Sequence, residues 1–597
     1  MAEFKVHAPY NFVPFSNQVL LRYARPEELP PHNVIDPALK TGEIHITMAA
    51  DTPCFVSDGD KNTPHFFRTP DGHYALPGTT IRGMIRENIQ ILGFGAVCPG
   101  EEMKDYQIYF REIAAAKGSV GGPLKNYYQT VLGIDPKDPK APPQNVRAGY
   151  LRKRNGQYVI QPVKGCYLRV SRQHPDVARL DDTPAKSVSI AYVEAGGCVK
   201  EFCARAHAKP GMSYGMLLYT GRWVGKFPNH LYVFPEADES AASLPLEPVD
   251  ILSYREDWEN RKNTLKAYYD PDFWALPEDG DEKPVFYIRH NGHIYFGMSL
   301  FLRIGYLHSL SMGLPPKHRS LTEEGNVPLD YPRAMLGYAR DTESYRSRVS
   351  FGDLIAQGRP QELEQVDAIL GQPKPSWYPG YVIDGKNYTE EAFRLRGYKQ
   401  YWLKAPNVPK PEKVNVASHM RPLAPGTVFR GVIRYKNLHE DELGLLLWAL
   451  RLEDGCYQSV GMGKPYGYGR MKLTIDALRE FDVQALYTGL DSGGKTNGKD
   501  TVEQYIAAYD AFASDCLSRH RKKKCLSLRE RSEIKDFFFL HRAIQEGEGS
   551  GYMELGAYKN IHTPLPDVKS MREEQERQEE KPLTLADLQA HFNAMKN

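Results

Sequence analysis

The chain has 597 residues, enough for about two to four domain-sized cores, and its hydrophobic fraction of 41% excludes a disordered protein. A formal net charge of +2 excludes a polycation, so any affinity for nucleic acid must come from local patches. The N-terminus lacks the pattern of a signal peptide, no apolar run is long enough to span a bilayer, and the eight cysteines form no paired framework. These features predict a soluble, cytoplasmic protein.

The first regular elements lie between residues 43 and 92. Apolar and polar residues alternate over 43–56, which predicts a strand, and the polar loop SDGDKN follows. The segment that begins PGTTIRGMIR, at residue 77, predicts a helix, and Thr79 or Thr80 is expected to cap it. Its apolar face consists of Ile81, Met84, Ile85, Ile89 and Leu92.

A long irregular region follows, from residue 96 to 410. Short strand-like runs alternate there with turns rich in proline and glycine, such as PKDPKAPPQN. This pattern is typical of insertions that decorate a core.

Regular structure resumes near residue 415. TVFRGVIRYKN predicts a strand, EDELGLLLWALRL predicts a helix, and MKLTI predicts a strand after the loop GMGKPYGYGR. Two strand-and-helix units therefore flank the insertion. In the tail, DSGGKTNGKD is typical of a linker, residues 502–545 predict helix, and REEQERQEEK predicts a charged tether before a last helix from Thr584.

The glycine-rich loop is the strongest local signal. Glycines let backbone amides approach an anion, so the loop can cradle phosphates, but glycine clusters also build ordinary tight turns. It is not a nucleotide-binding P-loop, because Pro465 stands where a metal-binding hydroxyl is required. The candidate residues are Gly461, Gly463, Lys464, Gly467, Gly469 and Arg470.

The segment PGTTIRGMIR is the second signal. A turn that opens a helix presents free amides to a phosphate, and Arg82 and Arg86 lie one turn apart on the same helix face. An ordinary capped helix with a solvated basic face explains the same pattern. Residues 425–434, PGTVFRGVIR, have a sequence similar to that of PGTTIRGMIR, but their pattern continues as a strand.

Two weaker signals concern charge and metal. Residues 519–535 are strongly basic and can either grip RNA or form a solvated helix face. Cys198, Cys203 and His207, with Cys166 as a fourth ligand, have a spacing outside the common zinc patterns.

Taken in order, ALPGTTIRGMIR, DELGLLLWAL and GMGKPYGYGR resemble the RAMP superfamily. APYNFVPF, KPVFYIRHNG, MSLFLRIGYLHSL, AMLGYARDTESYRSRVSF and LRGYKQYW are similar to a large, III-D-like branch of type III CRISPR backbone subunits. The resemblance runs discontinuously from about residue 8 to 476.

The resemblance implies an α+β fold: an RRM-like (ferredoxin-like) palm with a long insertion, including thumb-like and accessory elements, and a helical C-terminal tail. The palm would comprise residues 1–95 and 411–480, the insertions 96–410 and the charged extension 491–597. Such proteins line up along a guide RNA (crRNA) with other effector subunits in antiviral defence, and help to position target RNA. Guide contacts are implied at Thr79, Thr80, Arg82 and Arg86, with a structural or RNA-facing role for the loop 461–470.

Some of these subunits also cut target RNA with an aspartate upstream of the turn. That position falls on Asn62, and an amide is a poor base and a weak ligand for a hard cation. Asp58 and Asp60 lie in the same loop, so a Mg²⁺-dependent endoribonuclease is one alternative. A second is a guide-processing ribonuclease that uses a histidine such as His65 or His73. A nucleotide-binding metabolic enzyme is a third, which Pro465 disfavours.

Overall fold

The chain has a mixed α+β fold. The computed structural model describes residues 5–60, 64–138, 141–171, 173–177, 186–219, 230–261, 271–323, 327–341, 343–411, 417–488, 494–518, 527–544, 550–554 and 556–579.

A large antiparallel sheet has the strand Lys40–Ala50 at its centre. This strand pairs with Val428–Leu438 on one side and with Arg470–Phe481 on the other. Every second residue of the central strand, from position 42 to position 50, is buried, as expected where only one face of a sheet is covered. Shorter strands of the sheet are Ala75–Leu76, Val349–Phe351, Leu354–Ala356, Gln458–Ser459 and Gly494–Asn497.

Two helices pack in the main core with the buried side of this sheet. The basic helix is Gly78–Leu92, and the leucine-rich helix is Glu440–Arg451. They contact each other, and a third helix, Lys499–Ser518, packs against the leucine-rich helix. That approach requires Gly444, because a Cβ at this position would stand 1.9 Å from a Tyr505 oxygen. The other helices with side chains in or against this core are Tyr331–Leu336, Ser532–Leu540 and Val568–Glu579.

The region between the two halves of the sheet carries further cores. One holds a five-stranded antiparallel sheet, a strand pair and three helices. Its strands are Arg147–Arg154, Gln157–Pro162, Leu244–Pro245, Glu282–His290 and His293–Gly297, with the pair Gln107–Phe110 and Ile304–Ser309. Its helices are Gly122–Leu132, Pro248–Arg261 and Pro271–Trp274.

A small closed barrel has its own core within the same region. Its strands are Leu168–Ser171, Lys186–Ala195, Cys198–Ala204, Ser213–Tyr219 and His230–Pro235. The remaining elements are the strand pairs Tyr10–Val13 with Tyr398–Tyr401, Tyr338–Ala339 with Ser344–Tyr345, and Val366–Ala368 with Ser418–Met420, and the helices Pro316–Glu323 and Val483–Thr488.

Most elements predicted near the main core are confirmed, but four details were wrong. The predicted linker DSGGKTNGKD contains the strand Gly494–Asn497, which pairs with Arg470–Phe481 in the large sheet. The predicted strand over 43–56 ends at Ala50, where the chain bends before Pro53, which cannot donate to a ladder. Neither threonine caps the basic helix, which follows Pro77. The predicted tether is helical as far as Glu579, and Arg572 within it is buried against Asp536 at 2.9 Å.

Some predictions fall outside the described residues. These are Asn62, the first part of the basic run (519–526) and the helix from Thr584. In the part of the chain that the structure describes, no helix is both long and apolar enough to cross a bilayer.

Candidate nucleic-acid interface

A protein carboxylate occupies the N-terminus of the basic helix. The Gly78 amide donates a hydrogen bond of 2.7 Å to Asp353, whose segment lies beside this turn. Thr79 is exposed, and the Thr80 amide bonds to the Pro77 carbonyl oxygen at 2.9 Å. A helix N-terminus favours an anion. The Asp353 carboxylate therefore occupies part of the position where the sequence predicts a phosphate.

Arg82 and Arg86 lie on one side of the basic helix and line a cavity of about 510 Å³. Arg82 donates to the Leu336 carbonyl oxygen at 2.7 Å, and Arg86 pairs with Glu102 at 3.1 Å. Burial and the neighbouring Arg86 lower the pKa of Arg82. Both guanidinium groups are thus held in place, and each has five N–H donors, more than these contacts require.

The acidic residues beside this cavity are neutralised by arginine. The fully buried Arg333 pairs with Asp330 at 2.7 Å, with Glu101 at 2.8 Å and with Glu102 at 2.5 Å. In the described part of the chain, Cys98 and these two glutamates bring three possible metal ligands within 4.8 Å of one another. Because arginines already pair with both carboxylates, we assign no metal to this group.

The glycine-rich loop owes its glycines to packing. All four have positive φ, and a Cβ would stand 2.2 Å from a Phe55 oxygen at Gly461 and 1.9 Å from a Val460 oxygen at Gly469. The tight-turn explanation therefore accounts for the glycines. Arg470 is likewise engaged, with Asp51 at 2.5 Å and the Leu403 carbonyl oxygen at 3.1 Å.

Lys464 at the tip of this loop is different. Its ammonium group makes no hydrogen bond or ion pair with the residues that the structure describes, although protein packs closely around it. Burial lowers the pKa of Lys464, Glu87 opposes this change, and the nearby Lys399 adds to it. A crowded ammonium group without a direct partner is costly unless an anion binds there.

Glu87 brings the basic helix and the glycine-rich loop together. Gln400 donates a hydrogen bond of 3.0 Å to Glu87, and Lys464 interacts with it electrostatically. The Glu87 side chain is exposed, but protein surrounds its carboxyl group on several sides, and this raises its pKa. Lys399, next to Gln400, stands over the rings of Tyr10 at 4.0 Å and Tyr401 at 4.6 Å.

The two strongest sequence motifs therefore belong to one surface. Arg82 and Arg86 face the cavity, and Lys464 stands beside Glu87 of the same helix. A model of the RAMP superfamily matches residues 47–472, more than half of the chain.

The chain belongs to the RAMP superfamily. This superfamily is associated with CRISPR effector complexes and RNA binding. The matched RAMP region includes the central strand from Thr47, the basic helix, the leucine-rich helix and the glycine-rich loop. A search of curated proteins gives no match to the chain.

The candidate catalytic aspartates of this RAMP chain lie in a turn. The Asp58 carboxylate accepts hydrogen bonds from the amides of Asp60 at 3.1 Å and His65 at 3.3 Å. Neither aspartate belongs to a three-ligand metal group among the described residues. His65 and His73 are both exposed, and His73 lies 3.5 Å from Asp71.

The candidate zinc ligands do not form a cluster among the described residues. Cys203 donates to the backbone oxygen of His207 at 3.2 Å and not to its ring. In the basic run, Arg529 pairs with Glu453 at 2.8 Å and Arg531 bonds to Gln18 at 3.1 Å. These two cations are thus bound within the protein.

Sequence reasoning missed three residues of the interface. Asp353 accepts a hydrogen bond from the Gly78 amide, which lies 275 residues away in the chain, and no local pattern connects the two. Lys399 and Gln400 lie in LRGYKQYW, whose cluster of tyrosines and lysine was the available signal.

Proposed function

We propose that this RAMP protein is a backbone subunit of a type III CRISPR effector complex, of a III-D-like kind. In this role it binds guide RNA, helps to position complementary target RNA and acts in antiviral defence in the cytoplasm. Contacts to the RNA backbone position the strand, and base pairing by the guide supplies the sequence specificity.

The order of elements supports an RRM-like palm built mainly from residues 1–95 and 411–480. The predicted bounds were too narrow, because the strands Val349–Phe351 and Leu354–Ala356, from the region 96–410, pair with Val428–Leu438 in the same sheet. In chain order, the sheet and its two helices comprise the strand Lys40–Ala50, the basic helix, the short strands Val349–Phe351 and Leu354–Ala356, the strand Val428–Leu438, the leucine-rich helix and the strand Arg470–Phe481. In the sheet, Arg470–Phe481, Lys40–Ala50, Val428–Leu438 and Leu354–Ala356 are consecutive neighbours. The cores between residues 96 and 410 would then be the insertions, including the thumb, and residues 491–597 the extension.

The unpaired Lys464 carries the proposal. Among the four cations assigned to RNA, Arg82, Arg86 and Arg470 each contact a protein oxygen, whereas Lys464 makes no direct contact with an acceptor in the described residues. A phosphate would supply the missing partner at a site that the basic helix shares.

Binding of single-stranded RNA by the purified full-length protein tests this proposal. Lys464→Ala should weaken binding of a fluorescent RNA of about 20 nucleotides about tenfold or more, because a hydrogen bond to a charged group is lost. Lys569→Ala is the matched control, since Lys569 is exposed and pairs with Glu573 on the C-terminal helix. Equal affinities for the wild type and both variants would contradict the assignment of Lys464.

Target cleavage is not part of the proposal. Asn62 replaces the aspartate that the resemblance requires, and Asp58 accepts hydrogen bonds from amides in its own turn. Guide binding would need no cofactor, and Mg²⁺ would enter only if the target were cut.

A further inference from the structure

Gly83 lies in the middle of the basic helix without a packing role. It is exposed, and a Cβ at this position would meet no atom within 4 Å. Its φ is not in the positive region. Glycine inside a helix is destabilising relative to alanine, so neither backbone geometry nor packing accounts for its presence.

The position of Gly83 links the two parts of the interface. Thr79, Gly83 and Glu87 are spaced four apart and all are exposed, so they form one open row along the helix. Arg82 and Arg86 form the adjacent row, which faces the cavity. At the C-terminal end of the open row, Glu87 interacts with Lys464.

We propose that a single strand of RNA crosses the basic helix at Gly83, on a path from the cavity beside Arg82 and Arg86 to Lys464. This inference rests on the proposed function and adds the route that the strand follows. At Gly83 the sugar–phosphate backbone lies directly against the helix, where any side chain would lift it away.

Charge along the route agrees with this path. The arginines at one end have donors to spare, and Lys464 at the other end lacks a direct partner among the described residues. Of the acidic groups on the way, Glu102 pairs with Arg86 and Arg333, and the charge of Glu87 is opposed by that of Lys464. Backbone contact at an open helix surface requires no particular base, as expected for binding that is independent of sequence.

Gly83→Ala and Gly83→Leu test the route with the full-length protein and a fluorescent single-stranded RNA of mixed sequence. Gly83→Ala should raise the melting temperature and still weaken binding severalfold, so that the loss is not a failure to fold. Gly83→Leu should weaken binding at least tenfold. Gly498→Leu is the control, because Gly498 is also exposed with open space around it and lies outside this surface.

The outcomes separate the two proposals. If the wild type binds RNA and Lys464→Ala weakens binding while both Gly83 variants bind normally, the route is overturned and the proposed function stands. If the wild type binds no RNA, both proposals fail. Equal losses in Gly498→Leu and Gly83→Leu would also overturn the route.

Discussion

The Gly78 amide donates a hydrogen bond of 2.7 Å to the carboxylate of Asp353, and this contact closes the N-terminus of the basic helix. The two residues are 275 positions apart in the chain. Asp353 precedes the strand Leu354–Ala356, which lies between Val428–Leu438 and Ala75–Leu76 in the large sheet, so the sheet itself places the carboxylate at the helix end. The exposed negative charge stands where a phosphate would otherwise benefit from the helix dipole.

Asp353→Asn should therefore strengthen RNA binding. Asparagine keeps an oxygen that can accept a hydrogen bond from the Gly78 amide, but it carries no negative charge. Removal of a charge at a helix terminus should raise the affinity for RNA about two- to fivefold. Titration of labelled RNA with the purified protein measures this change. Asp384→Asn, an exposed aspartate paired with Arg394, should leave affinity unchanged. Weaker binding by Asp353→Asn would show that the carboxylate organises the site and does not compete with RNA.

The affinity for RNA should begin to fall at a lower pH than the ordinary pKa of a lysine would predict. Burial lowers the pKa of Lys464, so its ammonium group loses its proton at a lower pH than an ordinary lysine does. Only the protonated form attracts phosphate, and the affinity therefore declines as the pH rises through this lowered pKa. Binding is measured at constant ionic strength from neutral pH up to the ordinary pKa of a lysine, about 10.4.

Lys464→Arg separates this effect from general changes in the protein. A guanidinium group stays charged over the same range, so the variant should show a much flatter pH dependence. The same decline in both proteins would assign the titration to another group.

Removal of one partner of the buried pair Arg348 and Glu442 should destabilise the main core strongly. Glu442 is fully buried, accepts from Arg348 Nη1 at 2.8 Å, and accepts from the His439 amide at 2.9 Å at the start of the leucine-rich helix. Glu442→Gln leaves the arginine without its countercharge and should lower the free energy of unfolding by about 3–5 kcal/mol. Denaturant unfolding measures this loss.

Glu440→Gln is the control for this prediction. Glu440 is 62% exposed and pairs with Lys40 at 3.3 Å, so its removal should cost no more than about 0.5 kcal/mol. Similar losses for the two variants would contradict the large cost assigned to an uncompensated Arg348.

The sequence was sufficient where local pattern determines structure. The apolar spacing in the basic helix and the leucine-rich helix placed both correctly, and alternation revealed the strands Val428–Leu438 and Arg470–Phe481. The region 96–410 was not resolved, because its short strands pair over long distances in the chain. For example, Arg147–Arg154 pairs with Glu282–His290, and no local pattern encodes that partner.

The candidate site was only partly predictable for the same reason. Lys464, Arg82 and Arg86 were identified from their motifs, but sequence could not show that Arg86 is paired with Glu102 and that Lys464 is not paired in the described residues. The role of Asp353 depends on the strand Leu354–Ala356, which is far from the basic helix in the chain. Gly83 stood within an identified motif, and only the open space around it distinguished it from a packing glycine.

Substitution of the two loop aspartates should not affect RNA binding. Asp58 accepts from amides in its own turn, and Asp60 follows it two residues later. The double variant Asp58→Ala/Asp60→Ala should therefore bind single-stranded RNA with wild-type affinity, apart from a small loss of loop order. A large loss of affinity would place this loop in the interface, and loss of a Mg²⁺-dependent cleavage would favour the ribonuclease alternative.

Purification of the protein with the products of neighbouring genes tests the central claim most directly. The RNA that co-purifies is sequenced, and a labelled target complementary to it is added with and without Mg²⁺. We expect that a CRISPR guide RNA co-purifies and that the target binds but stays whole at the position of this subunit. A complex without bound RNA would contradict the proposed function.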